Sequence, residues 1–324
     1  MRLRNPRKVS VDRTMKILIG YDGSESADAA LADLKRAGLD AEADVLVMCV
    51  ADVFVPPPAD EAEDAISVNV PQGVKRAHER ARQKLQEAED LAKRISHQIK
   101  SLFPSWKVDS QAEADSPAWA VLRKADAWKP DLIIMGARGH SVFGGRLILG
   151  SISQRVLYEA HCSVRIGRGA YKNSDKPIRL LIGVDSSADS NAAVEVVCNR
   201  QWPRGTEVAL LVVVDTVMPL SSNSSEPSAM KWIEVADESN WSQVREIFEP
   251  LVQRIRGAGF HADVLIRRGN PADEILEEAH TWDADCIFVG ARGTRGIDRL
   301  LLGSVSSAVS SRAHCSVEVV RPKK

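Results

Sequence analysis

The sequence predicts an α/β fold that is built twice: two tandem domains, each with a five-stranded parallel sheet core covered by helices on both faces. The chain has 324 residues, a length that suggests two domains. Short apolar segments alternate with helical patterns, which is typical of parallel sheets. The first half of the sequence also recurs in the second half, in the same order.

The internal repeat consists of three collinear blocks. The matched blocks are 15–31 with 178–194 at an offset of 163, 131–139 with 285–293 at 154, and 149–164 with 302–317 at 153. The offset changes only where loops would absorb the difference in length. Chance is therefore a poor explanation for three matched blocks in the same order. The repeat therefore predicts two homologous domains.

Each copy alternates strand and helix signals. Continuous apolar runs predict buried strands, and apolar residues three and four positions apart predict one long amphipathic helix. In the first copy we expect strands at 16–21, 44–50, 107–111, 132–136 and 163–166, and helices at 26–37, 74–102, 117–127 and 151–160. The second copy repeats this scheme, with Val244, Ile247, Leu251 and Ile255 along its long helix.

The repeat also sets the expected domain boundaries. We expect one domain at 15–168 and the other at 178–322. Residues 169–177 have the glycine, serine and proline content of an exposed linker. Residues 1–14 form a basic tail, because no apolar segment of secretory length follows them.

Composition argues against several classes of protein. Lys and Arg number 43 and Asp and Glu 44, so the net charge of -1 gives no overall attraction for nucleic acid or an anionic membrane. The apolar runs are too short to cross a bilayer. The five cysteines lack the spacing of a metal site, so we expect reduced thiols, no metal and a cytoplasmic protein.

A glycine loop follows the fourth predicted strand of each copy, and an aspartate follows the first strand. The paired positions are Gly136, Gly139, Gly150, Ser151 and Asp22 in the first copy, and Gly290, Gly293, Gly303, Ser304 and Asp185 in the second. Glycines let backbone N–H groups approach a phosphate, and a helix N-terminus points more N–H groups at the same place. The pattern favours an anion site, with a tight strand-to-helix connection as the alternative.

Other nucleotide and hydrolase motifs do not occur in the sequence. We find no G-x-x-x-x-G-K-[ST], no G-x-G-x-x-G after the first strand and no G-x-S-x-G. The repeated His-Cys pairs, His161-Cys162 and His314-Cys315, invite a nucleophile interpretation. Because neighbours on a strand point to opposite faces, we expect no catalysis from them.

At these loops the chain resembles the universal stress protein family in its tandem two-domain form. That family's nucleotide-binding signature is G-x2-G-x9-G-[ST], with an aspartate near the end of the first strand. The second copy matches it from Gly290 to Ser304. The first copy has ten residues between Gly139 and Gly150, one more than the signature. The resemblance implies a Rossmann-like fold of the adenine nucleotide alpha hydrolase-like type.

The resemblance also implies a ligand and its contacts. ATP, with or without Mg2+, would be bound by each competent domain, its phosphates on the glycines and serines and its nucleoside end near Asp22 and Asp185. The backbone at the end of the second strand, Val50 and Val213 here, would read adenine. The segments 54–72 and 219–230 would be either lids over the nucleotide or solvated connections.

In this family the last strands of two domains pair across a two-fold axis. Arg165 and Glu318 occupy equivalent positions in those strands. Pairing one copy with the other opposes unlike charges, whereas pairing identical copies opposes like charges. We therefore expect the two domains to pack intramolecularly through these strands, and a homodimer is a further option.

These features lead to one expected function and two competitors. We expect an adenine-nucleotide binding protein of stress response or signalling, with little or no turnover. The first competitor is an interaction protein that keeps the fold with vestigial nucleotide sites. The second is an ATPase or kinase-like enzyme, for which the sequence offers no catalytic constellation.

Overall fold

The computed structural model describes residues 14–53, 72–139, 149–169, 176–214, 217–220, 231–234, 241–294 and 302–322. These residues form one ten-stranded sheet, a separate two-stranded sheet and eight α-helices. The predicted α/β class with five parallel strands in each domain is confirmed, and the two five-stranded halves join into the single ten-stranded sheet. The basic tail lies almost wholly outside the described residues.

The first domain alternates strands and helices as predicted. Its elements are β1 (Met15–Gly20), α1 (Glu25–Asp33), β2 (Ala43–Ala51), α2 (Gln72–Leu102), β3 (Lys107–Ala114), α3 (Pro117–Trp128), β4 (Leu132–Gly136), α4 (Ser151–Glu159) and β5 (Ser163–Gly167). A turn of 3-10 helix, Leu34–Arg36, follows α1, and Gly38 ends it at a φ of +62. The left-handed backbone at Gly38 explains why the helix stops there.

The second domain repeats this order and adds a hairpin. Its elements are β6 (Arg179–Val184), α5 (Ala188–Asn199), β7 (Glu207–Val214), β8 (Val217–Leu220), β9 (Lys231–Glu234), α6 (Trp241–Gly257), β10 (Val264–Arg268), α7 (Pro271–Thr281), β11 (Cys286–Gly290), α8 (Ser304–Arg312) and β12 (Ser316–Val320). Strands β8 and β9 pair antiparallel. They flank the 219–230 segment, which the sequence suggested as a lid or a solvated connection, and they were not predicted as strands.

The sheet order creates one crevice in each domain. The order is β3-β2-β1-β4-β5 in the first domain and β10-β7-β6-β11-β12 in the second. The strand order therefore reverses between β1 and β4, and again between β6 and β11. Ligands of such sheets bind at the carboxyl ends of the strands where the order reverses. The loops that leave these four strands frame the two candidate sites.

Apolar side chains pack on both faces of the sheet. On one face, helices α3, α4, α7 and α8 cover a cluster that runs through both domains. On the other face, α1 and α2 cover the first domain and α5 and α6 cover the second. The shared cluster makes the two domains parts of one continuous core on that face.

Helix α2 is longer than the sheet that it covers. Its 31 residues span about 46 Å, whereas β2 spans about 30 Å. The buried residues of the helix run from Ala81 to Ile99, and the two ends of the predicted apolar stripe, Val74 and Leu102, are 44% and 39% exposed. The first turns of the helix extend beyond the sheet.

The two domains meet at the antiparallel pairing of β5 with β12, in which Arg165 lies opposite Glu318. Both side chains are buried, and Arg165 Nη1 lies 3.1 Å from Glu318 Oε2. Asp33 Oδ2 lies 2.6 Å from Arg165 Nε, and Arg200 Nη2 lies 2.5 Å from Glu318 Oε1. The four side chains form one chain of alternating charges, which we call the seam network.

Candidate functional site

In each domain, the loop after the first strand is tied to the glycine loop after the fourth. Ser24 Oγ lies 3.1 Å from the Arg138 carbonyl oxygen and 2.6 Å from Asp22 Oδ1, and the Ser187 hydroxyl donates to the Arg292 carbonyl at 3.1 Å. Both serines also cap the helix that follows them. The two loops therefore form a single unit at the carboxyl edge of each sheet.

The predicted aspartates lie against the second glycine of each loop. Asp22 Oδ1 accepts the Ser24 amide at 3.0 Å, and Asp185 Oδ1 accepts the Ser187 amide at 3.1 Å. A Cβ added at Gly139 would lie 2.7 Å from Asp22 Oδ2, and one at Gly293 would meet Asp185 Oδ2 even more closely. A side chain at either glycine would therefore displace the carboxylate.

The first glycine of each loop has a different surrounding. Gly136 and Gly290 are buried, and an added Cβ would lie 2.5 Å from the Ser26 backbone and 2.6 Å from the Asp189 backbone, respectively. Their carbonyls accept the hydroxyls of Ser153 and Ser306. These contacts are those of a tight strand-to-helix connection, the alternative that the sequence left open.

The third glycine of each loop is the N-cap of the next helix. The Gly150 amide donates to the Ala137 carbonyl at 2.8 Å, and the Gly303 amide donates to the Ala291 carbonyl at 2.7 Å. Neither helix has a side-chain hydrogen bond at its N-cap. Because glycine has no side chain, the N-cap residue itself leaves the first-turn N–H groups unoccupied in both helices.

The exposed Ser151 and Ser304 begin these helices beside the loop. In each domain an exposed helix N-terminus faces a glycine-rich loop, and both present N–H groups. The residues present therefore fit a phosphate group, and the fit recurs in both domains.

The two valines lie near the aspartates. Val50 and Val213 are the penultimate residues of β2 and β7, and both are half-buried. Gly20 is opposite Met48 in the β1–β2 register, so Asp22 and Val50 each lie two residues farther along the same edge. The structure thus brings the aspartate, the valine backbone and the glycine loop to one crevice.

One residue of the second site was not singled out from the sequence. Asp189 is buried, and its Oδ2 accepts two hydrogen bonds from Arg292, one from the backbone amide at 3.1 Å and one from Nε at 3.2 Å. The repeat offset of 163 places Ser26 at the same position in the first domain. A comparison of the two copies position by position would have found this difference.

The thiols do not have the environment of nucleophiles. Burial raises the pKa of Cys162 to about 11 and that of Cys315 to about 12, so both remain protonated near neutral pH. The sequence analysis placed the His-Cys pairs on strands. In the structure they lie in the bends before β5 and β12. Within the described ranges, no three His, Cys, Asp or Glu side chains cluster as metal ligands would.

Several predicted features fall outside the described residues. They are the extra residue in the 140–148 segment of the first loop, most of the 54–72 segment and residues 221–230. In the portion of the chain that is described, no helix has the length and apolar character to cross a membrane.

Comparison with known proteins agrees with the repeat. The model of the Universal stress protein family matches residues 14–167 and again residues 178–321. A universal stress protein of Mycolicibacterium smegmatis is 28% identical over 311 residues, which cover 95% of this chain and 97% of that protein. A universal stress protein of Mycobacterium tuberculosis is 26% identical over 321 residues, covering 96% and 98%.

A solved structure has the same architecture. The crystal structure of a universal stress protein from Archaeoglobus fulgidus superposes with a TM-score of 0.62, covering 94% of this chain and 98% of that chain. The two sequences are 22% identical, so the superposition shows the shared fold. With the family model matching both halves, the chain belongs to the universal stress protein family, in a tandem two-domain arrangement.

Proposed function

We propose that this protein binds ATP through its two glycine loops and acts in stress response or signalling with little or no turnover. The observation that carries the proposal is the duplicated geometry. In both domains a glycine loop, a helix N-terminus with glycine as its N-cap and a loop aspartate meet at the crevice where the strand order reverses.

The residues divide into those that contact the nucleotide and those that hold the loop. The backbone at Gly139 and Gly293, together with the helix starts at Ser151 and Ser304, binds the phosphates. Asp22 and Asp185 lie toward the nucleoside, and the backbones of Val50 and Val213 contact adenine. Gly150 and Gly303 shape the turn into the helix, and Gly136 and Gly290 let the loop pack closely. Mg2+ bound to the phosphates would neutralise part of their charge.

Slow or absent turnover is supported by what surrounds the site. Both loop aspartates use an oxygen to accept backbone amides, which suits a fixed positioning role better than proton transfer. The thiols of Cys162 and Cys315, before the last strands, remain protonated near neutral pH. A turnover assay with ATP and magnesium tests this part, and release of phosphate faster than in buffer would contradict it.

Binding itself is tested by isothermal titration with ATP. Gly139→Val and Gly293→Val add a side chain where the aspartate carboxylate lies, so each should remove one site. Gly257→Val is the matched control, because nothing lies within 4 Å of a Cβ at that glycine. Absence of binding by the wild-type protein would favour the interaction protein with vestigial sites.

We further propose that the two domains stay paired within one chain in solution. The seam network supports this arrangement, because each buried charge has a partner of opposite sign across or beside the seam. Solution scattering would show one compact particle, whereas two separate domains joined by a flexible linker would contradict the proposal. The boundaries 15–168, 169–177 and 178–322 are part of the same proposal. Self-association into a homodimer is compatible with it.

The partners and the cellular location are proposed on chemical grounds. The net charge of -1 supports neither nucleic acid nor membrane as a partner. Three of the five cysteines are buried, and these thiols suit a reducing compartment, which supports a cytoplasmic location. Fractionation of the native source with detection of the protein tests the location.

A further inference from the structure

The two candidate sites differ at one position next to the glycine loop. Ser26 and Asp189 are equivalent in space as well as in the repeat, because each backbone lies against the first loop glycine of its own domain. A Cβ at Gly136 would lie 2.5 Å from Ser26, and one at Gly290 would lie 2.6 Å from Asp189. The first domain thus has a hydroxyl where the second has a carboxylate.

The Asp189 carboxylate binds the second glycine loop through three hydrogen bonds. Its Oδ2 accepts the Arg292 backbone amide at 3.1 Å and the guanidinium Nε at 3.2 Å, and its Oδ1 accepts Nη2 at 3.4 Å. A backbone amide of a glycine loop and an arginine guanidinium are groups that proteins use to bind phosphate oxygens. Asp189 therefore satisfies donors that a nucleotide phosphate would otherwise take.

We propose that Asp189 is a tethered anion that competes with nucleotide phosphate for the second glycine loop, so that the two sites of one chain differ in ATP affinity. This inference rests on the proposed ATP binding. In the described part of the second loop, Asp189 contacts Arg292, and Asp185 accepts the Thr294 amide at 2.9 Å. The corresponding part of the first loop has Asp22 against Gly139, and Ser26 stands where the second domain has Asp189. The first site is the tighter one, and the second fills only at higher nucleotide concentration.

The geometry allows the competition to be reversible. The Asp189 side chain is only 6% exposed, whereas the Arg292 side chain is 44% exposed. Arg292 can therefore rotate toward a phosphate in solvent, while Asp189 remains fixed in the first turn of α5. Release of Arg292 leaves a buried carboxylate with fewer partners, which opposes binding at the second site.

Titration of the second site alone tests the proposal. In a Gly139→Val background, Asp189→Ser introduces the residue of the first domain, and Asp189→Asn removes the charge while keeping an oxygen acceptor for the Arg292 amide. Both should strengthen ATP binding by about tenfold, the order expected when a nearby like charge is removed at a partly exposed site. If Asp189 instead positions the loop, its removal weakens binding, so the two roles predict opposite signs.

The reciprocal change tests the same idea in the first site. In a Gly293→Val background, Ser26→Asp should weaken ATP binding by about tenfold. Matched controls lie one residue earlier, where Glu25 and Ala188 are equivalent and both exposed. Glu25→Ala and Ala188→Glu change the same amount of charge on the outer side of each helix. They should alter affinity by less than about twofold, because solvent and salt screen exposed charges.

The outcomes separate this inference from the proposed function. The competition is overturned if the wild-type protein binds ATP and Asp189→Ser and Asp189→Asn leave the affinity unchanged or weaken it. The proposed nucleotide sites would remain valid in that case. If Asp189→Ser does not fold, Asp189→Asn and Ser26→Asp decide the question, since the latter tests the other domain. If neither the wild-type protein nor any variant binds ATP, the proposed function fails and the inference fails with it.

Discussion

Neutralising Glu318 should strongly destabilise the protein, because this carboxylate holds the centre of the seam network. Glu318 is fully buried, and its two oxygens lie 2.5 Å from Arg200 Nη2 and 3.1 Å from Arg165 Nη1. In Glu318→Gln, both guanidiniums would remain buried, with Asp33 as the only carboxylate left in the network. Removing one partner of a buried ion pair costs about 3–5 kcal/mol.

The matched control is an ion pair of similar length on the surface. Arg312 Nη1 lies 2.7 Å from Asp273 Oδ1, and these side chains are 53% and 54% exposed. Asp273→Asn should cost less than about 1 kcal/mol, because solvent screens an exposed pair. The contrast separates the effect of burial from that of hydrogen-bond distance.

Urea denaturation at pH 7 measures both changes. With the urea dependence of a protein of this size, Glu318→Gln should lower the unfolding midpoint by about 1–2 M, and Asp273→Asn should barely move it. Replacing all four members of the seam network, Asp33, Arg165, Arg200 and Glu318, together by apolar residues of similar volume should recover much of the loss. Equal midpoints for Glu318→Gln and the wild-type protein would refute this account of the seam.

The same carboxylate predicts the direction of the acid response. Burial raises the pKa of Glu318, but the Arg200 and Arg165 guanidiniums outweigh burial and hold the pKa below its usual range. A lowered folded-state pKa gives stability that is present above the unfolded-state pKa of about 4.3 and is lost as pH falls through the folded-state value. The Glu318→Gln variant should lack this part of the acid dependence, which unfolding midpoints between pH 7 and pH 3 would reveal.

Three further predictions follow from single contacts. Gly136→Ala places a Cβ 2.5 Å from the Ser26 backbone, so it should lower the melting temperature through a loss of about 1–3 kcal/mol; an unchanged melting temperature would contradict the packing role. Because burial raises the pKa of Cys49 and Cys315 to about 12, neither should react with iodoacetamide at pH 7.5 until urea is added, as mass spectrometry of the peptides would show. Limited proteolysis should cut first at 169–177 if that segment is the exposed linker, and early cuts inside β1 or β6 would argue against the proposed boundaries.

Repetition made most of the fold predictable from sequence. The apolar runs and the repeat predicted the succession of strands and helices along the chain. The repeat offset of 153 also predicted that Arg165 lies opposite Glu318, which the strand pairing confirms. The rest of the seam network could not be found this way. Asp33 and Arg200 have Val196 and Ala37 as repeat equivalents, so the repeat gives no signal for them.

The candidate site was only partly readable for a similar reason. The loop glycines were visible as a pattern, but the pattern does not separate Gly136, which packs against the Ser26 backbone, from Gly139, which lies against the Asp22 carboxylate. The difference depends on where α1 crosses β4, a tertiary contact. Asp189 was overlooked because a charged residue in the first turn of a helix is ordinary on its own. Its significance arises only from the bonds to Arg292.

The central claim is that both glycine loops, with the helix starts beside them, bind a triphosphate. Calorimetric titration of ATP into the wild-type protein and into the double variant Gly139→Val/Gly293→Val tests it most directly. We predict heat from two sites of unequal affinity in the wild-type protein and a loss of at least about tenfold in the folded double variant. Equal affinity in the two proteins would contradict the claim.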